Sequence, residues 1–87
     1  MPEFEFDDQE SQANAAKHGI DFEAAQALWH DINLVEVEAR VEDESRYLII
    51  GRIGSQHWCA VVTYRDDRIR LISVRRARKR EVEIYEG

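Results

Sequence analysis

Residues 35–74 read VEVEARVEDESRYLIIGRIGSQHWCAVVTYRDDRIRLISV, and this stretch decides the fold. Val35, Val37, Ala39 and Val41 alternate with Glu36, Glu38, Arg40 and Glu42, the period-two pattern of a strand with one apolar and one wet face. Glu42 to Ser45 is polar and reads as a turn. Tyr47 to Arg52 is apolar on both faces, which places this strand inside a sheet. Gly54-Ser55-Gln56 reads as a hairpin loop, and Trp58 to Tyr64 as a second buried strand. Asp66-Asp67 then turns the chain into a last strand, Arg68 to Val74. Loops this short join antiparallel neighbours, so the pattern predicts a meander.

Helical patterns flank the meander. Phe4-Glu5-Phe6 alternates and predicts a short first strand. Asp8 to His18 reads as a helix ended by Gly19, with Lys17 and His18 where positive charge suits the helix dipole. Asp21 can cap a second helix, whose apolar side is Phe22, Ala25, Leu28 and Trp29. That pattern stops near His30-Asp31-Ile32-Asn33. Beyond the last strand, Ala77 to Tyr85 reads as a third helix, with Ala77, Ile84 and Tyr85 along one side. The expected class is α+β: two N-terminal helices and one C-terminal helix packed on a four- to five-stranded, mostly antiparallel sheet, in one domain of residues 1–87.

Composition limits what such a domain can do. A chain of 87 residues buries roughly 60–65% of the surface it exposes when unfolded, so its stability margin is thin. A partner that binds only the folded state adds to that margin. The sequence has no apolar run of the roughly 18 residues a membrane helix needs. Its N-terminus is acidic (Glu3, Glu5, Asp7, Asp8), unlike the basic start of a signal peptide, and Cys59 is the only cysteine. These features place the chain in the cytoplasm. The formal net charge of −6 hides an asymmetry. Residues 1–44 carry thirteen acids against two bases, Lys17 and Arg40, whereas residues 45–87 carry ten bases against five acids. Charge sorted in this way points either to an anionic ligand on one surface or to a solvated, salt-bridged face.

The landmarks also occur in a recognisable order. Phe4-Glu5-Phe6-Asp7 is followed by Asn14, Lys17-His18-Gly19 and Asp21-Phe22-Glu23-Ala24-Ala25. Tyr47, Gly51-Arg52, Ala60 to Tyr64, Arg68-Ile69-Arg70, Ser73-Val74-Arg75-Arg76-Ala77, Glu81 and Tyr85 complete it. This order resembles the BrnT toxin family over almost the whole chain. Two positions depart from the family pattern: Phe6 stands where Trp is usual, and Glu10 where Lys is frequent. The resemblance implies a RelE-like fold and a ribonuclease that needs no metal or other cofactor. It also implies a hetero-oligomer with a co-expressed BrnA-type antitoxin. The antitoxin's DNA-binding domain would bring the pair to its own promoter.

Metal-free RNA cleavage needs a base for the 2′-hydroxyl proton, positive charge at the crowded phosphorus, and help for the departing 5′-oxygen. Arginine suits the second role because its fork matches two phosphate oxygens. Arg75 and Arg76 are the first candidates, at the hand-over from the last strand to the last helix. Strand neighbours point to opposite faces, so a straight strand aims only one of them at a given site. Arg70 and Arg68 share a face of the last strand, and the same alternation puts Ile72 and Val74 on it too. Arg52 ends a buried strand behind Gly51, a residue that lets another backbone approach closely.

Each of the remaining candidates has a bland alternative. Lys17 and His18 are either catalytic or simply suit their helix end. Glu36, on the same strand face as Glu38, is a candidate base or a solvated acid. Arg68, Arg78, Arg80 and Tyr85 are candidate RNA contacts, and Tyr85 is equally a packing residue. His30 and His57 are weaker candidates, and the histidines show no metal-ligand spacing, so no metal site is expected. There is no Gly-rich phosphate loop and no Gly-x-Ser-x-Gly elbow. Two functions therefore compete: an RNA-cleaving toxin held inactive by its partner, and an antitoxin-binding module that no longer cuts. Direct DNA binding by the basic C-terminal segment ranks last, because that segment lacks a helix-turn-helix pattern.

Overall fold

The computed structural model describes residues 2–42 and 44–87. Five strands, β1 (Glu3–Glu5), β2 (Val35–Val41), β3 (Glu44–Ile53), β4 (Gln56–Arg65) and β5 (Arg68–Arg76), form one sheet in the order β1-β5-β4-β3-β2. The helices are α1 (Asp8–His18), α2 (Phe22–Ala25) and α3 (Lys79–Glu86). The four strands of the meander pair antiparallel, but β1 joins β5 in parallel, so the sheet is mixed. No short loop links β1 to its neighbour, and its direction is set by packing alone. The turn expected at Glu42 to Ser45 includes Asp43, which lies outside the described residues, and β3 already begins at Glu44.

The core lies between one sheet face and the N-terminal helices. Ile49, Trp58, Ala60, Val62, Ile69, Leu71 and Val74 meet Ile20, Phe22, Ala25 and Leu28 there. Phe4 packs edge-on to Trp29, and Phe6 to Phe22, so the Phe6 departure is absorbed by aromatic packing. The second helix is shorter than its pattern indicates. After Ala25 it tightens into a 3-10 stretch, Gln26–His30. Phe22, Ala25 and Leu28 are spaced by three residues and all are essentially fully buried. A 3-10 helix keeps such residues in register on one side, where an α-helix would rotate them away.

The last strand departs from simple alternation. Val61 faces Ser73 but Val62 faces Leu71, so Ile72 is an extra residue in a β-bulge. The bulge moves Val74 onto the core face with Ile69 and Leu71, opposite to the face expected from alternation. Arg68, Arg70, Ser73 and Arg75 share the other face. Beyond Arg70 the outer edge of β5 has no strand neighbour, because β1 ends there. Asn14 takes that place. Its Nδ2 donates to the carbonyls of Val74 and Ile20, both at 2.8 Å, and its Oδ1 accepts the Val74 N–H at 3.0 Å. Ser11 Oγ accepts the Phe22 N–H at 2.9 Å. The inner side of α1 is thus polar, and its buried residues are Ser11 and Asn14.

α3 lies on the opposite sheet face, against β3, where Ile50 and Cys59 are fully buried. It starts two residues later than the sequence pattern suggests, because β5 runs to Arg76 and the Ala77 N–H still donates to the His57 carbonyl. The apolar side expected from Ala77, Ile84 and Tyr85 is not what docks it. Ile84 is 42% exposed, whereas Glu81 is 8% exposed. Arg75 Nη1 and Nη2 donate to Glu81 Oε1 and Oε2, each at 2.8 Å, and Glu81 Oε1 also accepts the Arg78 N–H. The helix is held by a charge-assisted fork at its first turn.

Two stability measurements test these contacts. Asn14→Ala strands a buried N–H and a buried carbonyl of Val74, and should cost about 3 kcal/mol in denaturant unfolding; a loss below about 1 kcal/mol would show the bridge to be dispensable. The Arg75 guanidinium, against the opposing effect of burial, holds the Glu81 carboxyl below its ordinary value of 4.5. The unfolded chain then takes up this proton first, so the contribution is complete above pH 4.5 and lost as pH falls through the lower folded value. The melting temperature of Glu81→Gln should fall less steeply than wild type below pH 4.5, and parallel acid limbs would refute the assignment.

Candidate functional site

At the end of the sheet where β3 and β4 meet, five polar side chains gather from four segments. Arg52 closes β3 and His57 opens β4, and the two are direct cross-strand partners. Asp31 follows the 3-10 stretch, and Tyr85 and Glu86 come from the last turn of α3. A cleft of about 490 Å³ opens here, lined by His30, Asp31, Asn33, Arg52, Gly54 and Tyr85 among others.

Asp31 organises the cleft. Its Oδ2 accepts the Arg52 N–H at 2.8 Å and the Tyr85 hydroxyl at 2.7 Å, and its Oδ1 accepts the Asn33 N–H at 2.9 Å. Gly51 makes the approach possible. A Cβ there would lie 2.8 Å from Leu34 Cδ1, 3.1 Å from Leu28 Cδ2 and 3.3 Å from Asp31 Oδ2. Burial alone would raise the Asp31 pKa, but the Tyr85 hydroxyl, the two backbone donors and the Arg52 charge outweigh it, and the carboxyl titrates below its ordinary value. Tyr85 is shifted the other way, first by its hydrogen bond to Asp31 and then by burial, so its phenol stays protonated. His57 Nε2 lies 2.7 Å from Glu86 Oε2, and its ring meets the Tyr85 ring edge-on at 5.2 Å. The Arg52 guanidinium reaches only the Gly54 carbonyl, at 3.3 Å, and no carboxylate lies within 4.0 Å of it among the described residues.

The candidates named from sequence are split among several places. Arg52 and Tyr85 share the cleft. Arg75 is on the same sheet face, engaged with Glu81. Arg76 is on the opposite face, 5.5 Å above the Trp58 ring. Arg70 and Arg68 sit at the far end of β5, and five residues of strand put Arg70 roughly 17 Å from Arg75. There Arg70 pairs with Glu5 at 3.0 Å, and Arg68 with Glu3 at 3.6 Å and Glu5 at 3.9 Å. Lys17 and His18 line a separate groove with Glu10, Asn14, Ile72 and Ser73 that shares no residue with the cleft. Glu36 accepts the hydroxyl of Tyr64, whose ring packs on Tyr47, at the sheet's outer strand. Arg78 and Arg80 are exposed at the start of α3.

Sequence reading missed Asp31, Glu81 and the weight of His57. Two of these had a local signal. Asp31 precedes Asn33 by two residues, the spacing of a side-chain-to-backbone turn, and Glu81 stands three residues after the N-cap Arg78, where an acid can reach back. His57 had none, since its partner Glu86 is distant in sequence. Among the described residues no group of three His, Cys, Asp or Glu side chains converges as a metal site. No helix of the described residues is long and apolar enough to cross a membrane.

No curated protein matches the chain. A family model does match residues 6–81, that of BrnT, the ribonuclease toxin of type II toxin–antitoxin systems. Its span covers the first helix, the whole meander and Glu81 of the last helix, and on this ground the chain belongs to the BrnT family of ribonuclease toxins.

Proposed function

We propose that the chain cleaves RNA at the cleft lined by Asp31, Arg52 and Tyr85, with His57 beside it as the cross-strand partner of Arg52, on a RelE-like scaffold and without a metal. The observation that carries this is Arg52. It is a cleft cation without a carboxylate partner among the described residues, beside a histidine whose ring bonds to an acid. Its fork can hold two oxygens of the scissile phosphate as negative charge builds there. His57 takes the 2′-hydroxyl proton, with Glu86 fixing the ring, the arrangement of a base aligned by a third group. The 2′-oxygen then attacks phosphorus and the bond to the 5′-oxygen breaks, leaving a 2′,3′-cyclic phosphate. The protonated imidazole returns its proton to the 5′-oxygen. Tyr85 offers a ring face for a base, held in place by Asp31. Asp31 already accepts three hydrogen bonds and is a poor base.

The family implies a protein antitoxin and an RNA target. We read the antitoxin as BrnA-type and DNA-binding, so that promoter DNA is reached only through it. We further read it as covering this face of the toxin in the cytoplasm and excluding RNA from the cleft. His18, Lys17, Arg70, Arg68 and Glu36 then act outside the chemistry.

Cleavage of a labelled single-stranded RNA in EDTA, with and without ribosomes, tests the reading. Arg52→Ala should lower the rate by about 100-fold or more, as loss of a donor to a developing oxyanion does. His57→Ala should be as severe, whereas His30→Ala, which removes a ring with no orienting partner, should change it little. Wild-type rates in both Arg52→Ala and His57→Ala would move the active site elsewhere. An inert wild-type chain under both conditions would favour the antitoxin-binding module.

A further inference from the structure

We propose that Arg75 is a positioning residue for this ribonuclease: it acts through Glu81 to seat α3, and thereby Tyr85 and Glu86, and makes no contact with RNA phosphate. The inference rests on the cleft reading above. α3 has eight residues, too few to be stable as an isolated helix. Its aliphatic side chains bury little: Ile84 is 42% exposed and Val82 is only partly buried. Polar contacts at its two ends therefore hold it: the Arg75 fork on Glu81 at the first turn, and Tyr85 on Asp31 with Glu86 on His57 at the last. Glu81 and Tyr85 are four residues apart and so lie on one side of the helix. Losing the first contact frees the turn that sets the angle of the second.

The same geometry argues against a phosphate role. Both terminal nitrogens of Arg75 are spent on Glu81 at 2.8 Å, and the two side chains are only 20% and 11% exposed. To take up a phosphate, Arg75 would have to abandon a buried carboxylate and leave it facing another anion. Arg52, on β3 across the intervening β4, carries no such commitment.

Glu81 gives the experiment its sign. A phosphate-binding Arg75 would be released by Glu81→Gln, and RNA would bind more tightly. A positioning Arg75 would lose its handle, and catalysis would fall. Single-turnover cleavage and RNA affinity across a salt series are measured for wild type, Arg75→Gln, Glu81→Gln and the double variant. We expect kcat to fall about 10- to 100-fold in each single variant, as a displacement near 1 Å does. The double variant should be no worse than either single. The salt slope of binding should stay at its wild-type value, because no phosphate contact is lost. Arg75→Lys and Glu81→Asp keep the charges but misalign the fork, and supply intermediate kcat values if a neutral variant unfolds. A salt slope reduced by about 0.7 in Arg75→Gln, the signature of one lost phosphate contact on single-stranded RNA, would overturn the proposal. So would tighter RNA binding by Glu81→Gln, or full activity in Arg75→Gln. If Arg52→Ala and His57→Ala retain activity, the cleft reading fails instead, whatever Arg75 does.

Discussion

One carboxylate ties together the end of the sheet where β3 and β4 meet. Asp31 receives hydrogen bonds from its own turn, from the backbone of β3 and from the hydroxyl of α3's Tyr85. These three segments come from the middle and the end of the chain, and no other side chain of the cleft bonds to all of them. The contact is possible because position 51 has no side chain, so Leu28, Leu34 and Asp31 can close on the strand. An acid that accepts three hydrogen bonds in its ionised form stays charged and fixed in place. The cleft thus has a fixed negative corner against which Arg52 and Tyr85 are arranged.

The arginines show how little a charge count says about a site. Seven of them fall between Arg65 and Arg80, a density that invites a single basic patch. Folding divides them. Arg65, Arg68 and Arg70 meet Glu5, and Arg68 also meets Glu3, through the parallel β1–β5 pairing, which places the acidic N-terminus beside them. Arg75 is consumed by Glu81, and Arg76 turns to the other face over Trp58. Such pairs contribute modestly to stability when exposed, yet they decide which cations remain available to an anion. The free one in the cleft, Arg52, comes from the stretch with the fewest charges.

Polar groups dock two of the helices. α1 docks through Ser11 and Asn14 and α3 through Glu81 and Tyr85, whereas α2 and the 3-10 stretch bury aliphatic and aromatic surface. Buried hydrogen bonds specify geometry more sharply than apolar contacts do, because a displaced partner leaves an unmet group. They add less net stability per contact. A small domain built this way is precise but thin in margin, and a bound partner that recognises only the folded form would strengthen it.

Much of the fold was legible in the sequence because its signals are local. The alternation in residues 35–41, the short hairpin loops, the Asp8–His18 helix with its Gly19 stop, and the apolar spacing of Phe22, Ala25 and Leu28 all depend on near neighbours. So do the landmarks that identify the family. What escaped was set by distant contacts. The parallel direction of β1, the bulge at Ile72 and the docking of α3 by Glu81 depend on residues far apart in the chain. So does the distribution of arginines between carboxylates and the cleft. Sequence periodicity tells which side of a regular element a residue occupies, but only the assembled sheet determines where that regularity breaks, as at Ile72, and what stands opposite each side chain.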